Sequence, residues 1–198
     1  MRLTKKVHPF VEAYRRLWSP EGEPCITNIA GSIHAPILLL AEHPTEAEYD
    51  ANTPIASPGG QVYSAIFNEA GFDLGRDFLI LSFSRFGKKA NKASTKDTFP
   101  FLLEHITGTS VRCVAMIGME AFSHVFAGGR KTHARSIIGQ PMYLPQLHSL
   151  PVFVLPDTTF IHSVDEKNWR LVNLCKDKQM RIFEHVKNLK KFVDTLTN

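Results

Sequence analysis

Apolar positions along the chain follow two rhythms. A continuous apolar run at 36–40, bounded by turn residues, predicts a strand covered on both faces, and the largely apolar stretches 78–82, 111–117 and 152–155 predict further strands. A shorter run at 142–144 predicts a further strand. Between them the spacing turns helical. Phe10, Val11, Tyr14, Leu17 and Trp18 form one such set, and Val62, Ile66, Phe67 and Ala70 form another that stops at Gly71. Short helices are predicted at 98–106 and 120–126, and residues 42–60, with Pro44, Pro54, Pro58, Gly59 and Gly60, read as turns. Ile182, Val186, Leu189, Val193 and Leu196 share one face of a closing helix.

The alternation predicts an α/β fold with a mainly parallel sheet. A single domain is expected over 1–198, with an N-terminal helix within 1–20 and a C-terminal helical segment over 164–196. In such sheets ligands bind beyond the carboxyl ends of strands, so 41–60, 82–94, 118–120 and 156–163 carry the candidate chemistry.

Composition narrows the classes. The 198 residues are 43% hydrophobic and 21% charged, enough apolar content for a real core. No run approaches the roughly 18–20 apolar residues of a membrane span, and the start lacks an apolar signal core. Cys25, Cys113 and Cys175 are widely spaced, which argues against a disulfide framework or cysteine metal site and for a reducing, cytoplasmic setting. Scattered histidines without ligand spacing likewise point to no metal. Charge is more informative by region than in sum. The formal total is +4, yet 41–75 hold six acids and no bases, whereas 76–135 hold ten bases and four acids. That division predicts a surface with one basic side.

Three loops hold candidate residues. Ala41-Glu42-His43-Pro44-Thr45-Glu46 places carboxylates and an imidazole after a strand, where Glu42 or His43 would position or deprotonate a water; the plainer alternative is a capped, solvated turn. In the next loop Arg85, Lys88, Lys89 and Lys92 surround Phe86, a composition that suits phosphates and a stacked base as well as an ordinary solvated loop. Gly128-Gly129-Arg130-Lys131 lacks the glycine spacing of a P-loop. In the last loop His162 is a candidate for stabilising negative charge, and Phe160 or Ile161 for wedging into a base stack. The alternative there is a helix start capped by Ser163.

Taken in order, these segments resemble the uracil-DNA glycosylase superfamily, most closely its iron–sulfur-type bacterial and archaeal branch. Ala41-Glu42-His43-Pro44-Thr45 lies where the branch has GEAPG, and Pro54-Ile55-Ala56-Ser57-Pro58-Gly59-Gly60 where it has PFVGxAG. The strand ending at Ser82 is similar to the one that delivers a base-reading Asn. The segments from Val111 to Ala121 and from Val152 to Pro156 resemble VIVALGxxA and the entry to VLPTxHPS. The resemblance implies a three-layer α/β/α sandwich with DNA as partner. It assigns Glu42, His43 and His162 to catalysis, Ile55, Ser82, Thr159, Phe160 and Ile161 to the base and its stack, and Arg85, Lys88, Lys89 and Lys92 to the DNA backbone.

The departures from the family pattern are chemical. Ile55 stands for the stacking aromatic, Ser82 for the Asn, His43 for an Ala, Gly or water-activating Asp, and Thr159 for the catalytic His, with His162 three residues on. The cluster cysteines are missing, so no iron–sulfur cluster or other cofactor is expected. Ser82 is shorter than Asn and loses the paired donor and acceptor that read a pyrimidine edge. Two readings follow: a diverged glycosylase acting on a damaged or modified base, and a non-catalytic module binding DNA or a replication or repair protein. A third is an unrelated α/β enzyme acting on a nucleotide or other phosphorylated small molecule.

Overall fold

A computed structural model describes residues 8–18, 29–41, 45–51, 53–82, 100–102, 104–118, 122, 137–157 and 169–197. The chain runs through α1 (Pro9–Trp18), β1 (Ile29–Gly31), β2 (Ile37–Ala41), α2 (Glu46–Asp50), α3 (Pro58–Glu69), α4 (Leu74–Asp77) and β3 (Phe78–Ser82). It continues through β4 (Cys113–Ile117), β5 (Pro141–Tyr143), β6 (Pro151–Leu155) and the long α5 (Trp169–Thr197).

The six strands form one mixed sheet in the order β1-β3-β2-β4-β6-β5. The inner four are parallel, whereas β1 and β5 pair antiparallel at the edges. Residues 36–40 and 152–155 read as uninterrupted apolar runs because side chains on both faces are covered. Leu38, Leu40, Leu79, Leu81, Val114, Met116, Val152 and Val154 pack toward Phe10 and Tyr14 of α1 and toward Phe101 and Leu102. Ile37, Leu39, Phe78, Ile80, Cys113, Ala115, Phe153 and Leu155 pack toward Tyr63 and Phe67 of α3 and toward α5. A side chain buried this completely contributes about 1.5–3 kcal/mol, so the central strands are where the sheet gains most.

Helix α5 meets the sheet through Ile182, Val186, Leu189 and Val193, whose 4-3-4 spacing keeps them on one stripe. Its described span, Trp169–Thr197, falls on the expected 164–196 segment, and α1 lies within the expected 1–20, while residues 164–168 lie outside the described residues.

One expectation is corrected. Residues 42–60 are not turns throughout, since α2 lies within them and Pro58, Gly59 and Gly60 form the first turn of α3. Ser57 caps that helix by accepting from the Gly60 N–H, and Pro58 follows at the first helical position, where its missing N–H costs nothing. The sheet is mainly parallel, as expected, with one antiparallel strand at each rim. Edge strands of three residues are too short to show a period. Among the described residues no helix is long and apolar enough to cross a membrane.

Candidate functional site

The chain leaves β2 toward β3 on one side, then crosses back to place β4 and β6 on the other. The direction reverses between β2 and β4, and the crevice outside the strand ends at such a switch is where open α/β sheets take ligands. On the other side of β2 along the same carboxyl edge, its last residue Ala41 lies opposite Ser82, the last of β3. The strands leading to Glu42 and to Arg85 therefore end side by side.

Ser82 is 2% exposed. Its carbonyl accepts from the Tyr14 hydroxyl at 2.7 Å, which ties α1 to the end of β3. Its own hydroxyl has no hydrogen-bond partner among the described residues. By strand alternation it follows Phe78 and Ile80 onto the face covered by α3 and α5. A buried, unpaired hydroxyl costs about 1–3 kcal/mol, so one in a native fold calls for an explanation, a catalytic or binding role among them. A serine there offers one donor and two lone pairs, enough for a single directional contact.

Ile55 packs against the same face. Its φ of 59° puts a β-branched residue in the left-handed region, a strained backbone of the kind found at functional sites. Gly60 accommodates this bend, because a Cβ there would collide with the Ile55 carbonyl and Cα. The helix start and the bend before it thus form one rigid unit.

That unit is anchored by Glu48, a carboxylate only 5% exposed. One of its oxygens accepts from the Thr45 N–H at 2.8 Å and the Thr45 hydroxyl at 3.2 Å, while the Glu48 N–H donates back to Thr45 Oγ1. This is a capping box at the start of α2. The other oxygen accepts from Ser57 Oγ, joining α2 to the cap of α3. Across the edge, the buried Tyr63 hydroxyl donates to the Pro156 carbonyl just beyond β6. Burial first, and the nearby Asp157 charge second, hold the Tyr63 phenol well above its ordinary range, so it remains a donor.

Of the residues singled out in the sequence, Ser82 and Ile55 are brought to one face at the carboxyl edge. Glu42, His43, Arg85, Lys88, Lys89, Lys92, Thr159, Phe160, Ile161 and His162 lie outside the described residues. Sequence reasoning missed the hydrogen-bonding roles of Glu48, Ser57, Tyr63 and Tyr14. Thr45-x-x-Glu48 and Ser57-Pro58 carried signals for the first two; the tyrosine bonds span 68 and 93 residues and leave no local trace.

No family model matches the chain, and no curated protein matches it. The glycosylase resemblance rests on the motifs in the sequence.

Other chemistry is less well supported. Among the described residues no group of three or more His, Cys, Asp or Glu is arranged to hold a metal ion. Burial pushes the Cys113 thiol up to about 12, which removes it as a nucleophile. Two open grooves, of about 840 and 670 Å³, lie near the amino ends of the strands and share His34. Several of their polar groups are used locally: His8 Nδ1 accepts from the Phe10 N–H, Thr109 Oγ1 donates to Ile106, and Arg112 donates to the Leu196 carbonyl.

Proposed function

We propose that this protein is a diverged DNA glycosylase, built on a uracil-DNA-glycosylase-like three-layer sandwich, that hydrolyses the N-glycosidic bond of a flipped, damaged or modified base. The observation that carries the reading is the Ser82 hydroxyl, buried and without a partner among the described residues, at the carboxyl edge and on the face where Ile55 is held in a strained bend.

In this mechanism Arg85, Lys88, Lys89 and Lys92 neutralise backbone phosphates while the target nucleotide leaves the stack. Ser82 makes one hydrogen bond to the base edge, Ile55 supplies apolar contact, and Thr159 donates one neutral hydrogen bond. Glu42 and His43 orient a water whose oxygen bonds to the anomeric carbon and whose proton passes to the general base. The bond to the base breaks with its electron pair on the departing nitrogen, and His162 stabilises that anion. Phe160 or Ile161 fills the vacated stack. The products are an abasic site and the free base.

The test is abasic-site formation on uracil, hypoxanthine, xanthine and hydroxymethyluracil duplexes. Strand scission after alkali with at least one of them is expected. Salt-dependent DNA binding with no abasic sites on any would replace this reading with the non-catalytic module, for which the loss of the stacking aromatic and of the base-reading Asn speaks. In either case Lys88→Ala with Lys89→Ala should flatten the dependence of binding on salt.

A further inference from the structure

Helix α5 is much longer than the sheet it covers. The Leu196 carbonyl at its far end accepts from Arg112, which precedes β4, so this end lies at the amino edge of the strands. Phe192 stacks on Phe153 within β6 at a centroid distance of 5.1 Å. His185 sits against Gly139, whose N–H bonds to the Val154 carbonyl near the end of β6. Toward the N-terminus, Ile182 is the last buried residue among those of the helix whose burial is described, and residues 176–181 before it are exposed or half-buried. Residues 169–181 continue the helix past these points, about 20 Å at 1.5 Å per residue. The helix passes from the amino edge toward the carboxyl end, so this extension leaves the sheet on the side of the candidate site.

Its composition differs from that of the half on the sheet. Arg170, Lys176, Lys178 and Arg181 oppose a single acid, Asp177. Lys176 and Arg181 are exposed, and between them Met180 is 58% exposed, one of the two exposed large hydrophobic side chains among the described residues. Cations flanking an apolar side chain match a strand whose phosphates alternate with apolar sugar faces. An anionic lipid surface would favour a continuous apolar stripe along the outward face, and Lys176, Asp177 and Arg181 do not provide one.

We infer that residues 169–181 of α5 form an arm that contacts the phosphate backbone of DNA flanking the carboxyl-edge site. The arm rests on the DNA-binding reading above and adds a contact surface separate from the loop of Arg85, Lys88, Lys89 and Lys92. Lys176 and Arg181 each neutralise one phosphate. Met180 lies against the sugar between them.

The experiment is fluorescence anisotropy of the full chain with a labelled duplex over a range of salt. Each phosphate contact contributes about 0.9 to the slope of log affinity against log salt, so Lys176→Gln with Arg181→Gln should lower that slope by about 1.8. The matched control, Lys187→Gln with Lys191→Gln on the half that covers the sheet, removes equal charge and should leave the slope near wild type. Far-UV circular dichroism of both variants should match wild type, because the substitutions are at helix positions outside the buried stripe. An unchanged slope in the first variant, or an equal fall in the control, overturns the arm and leaves DNA binding standing. A wild-type chain that binds no duplex, or that sediments only with phosphatidylserine-rich vesicles, overturns both.

Discussion

The Ser57 hydroxyl donates to the Glu48 carboxylate at 3.1 Å, nine residues back along the chain. Through that bond the cap of α3 and the capping box of α2 share one buried anion. The loop that presents Ile55 is thereby closed at both ends by hydrogen bonds rather than by packing alone.

Glu48→Ala would leave the Thr45 N–H and the Ser57 hydroxyl without their acceptor, at a cost of about 1–3 kcal/mol. Ser57→Ala should cost about 1 kcal/mol through the lost cap. Because the two residues share one network, the double variant should lose less than the sum of the singles. Urea unfolding of the four proteins measures this directly, and strict additivity would show that the Glu48–Ser57 bond adds nothing.

Gly60→Ala should be among the more damaging small substitutions in the chain. Its new methyl group meets the Ile55 backbone, which has nowhere to go, and overpacking of this kind costs about 1–3 kcal/mol. Ile55→Gly and Ile55→Ala remove the same outer side-chain atoms, but only glycine accepts a φ of 59° without strain. The glycine variant should therefore be the more stable of the two by about 1 kcal/mol. Thermal or urea unfolding distinguishes them.

Ser82→Ala separates stability from function. Deleting a buried hydroxyl that lacks a partner among the described residues should raise stability by about 1 kcal/mol. On the proposed glycosylase reading, the same change should lower base excision, because the flipped base would lose its directional contact. A variant both less stable and fully active would contradict the role assigned to Ser82.

His185 gives the fold a specific acid sensitivity. Partial burial holds its imidazole below the ordinary value of 6.5, against the opposing pull of Glu184. The unfolded chain therefore takes up the proton first, and stability falls as pH falls. The contribution is complete above 6.5 and is lost as pH drops through the folded-state value. His185→Gln should flatten the stability profile over that window. Gly139→Ala should destabilise strongly, since its methyl would enter the His185 ring and its φ is 75°. Adding His185→Ala relieves the collision but not the backbone, so recovery of stability should be partial.

Much of the architecture was legible in the chain. The largely apolar stretches 36–40, 78–82, 111–117 and 152–155 mark the four central strands, because strands buried on both faces need apolar residues at nearly every position. The stripe of α5 was equally plain at Ile182, Val186, Leu189 and Val193. The start of α3 was not, since Pro58-Gly59-Gly60 has the composition of a turn and becomes helical only with Ser57 capping it and Ile55 bent beneath Gly60.

The candidate site divides in the same way. Ser82 and Ile55 were marked by where they stand relative to strands and to a family's motifs, both local properties of the sequence. That Ser82 is buried with its hydroxyl unpaired among the described residues while its carbonyl is bound by Tyr14, and that Glu48 joins two helix caps, depend on groups many residues apart. Periodicity determines which residues face a core, because burial repeats with the backbone. Which polar group meets which, and which is left without a partner, was decided only when the tertiary fold set the distances between them.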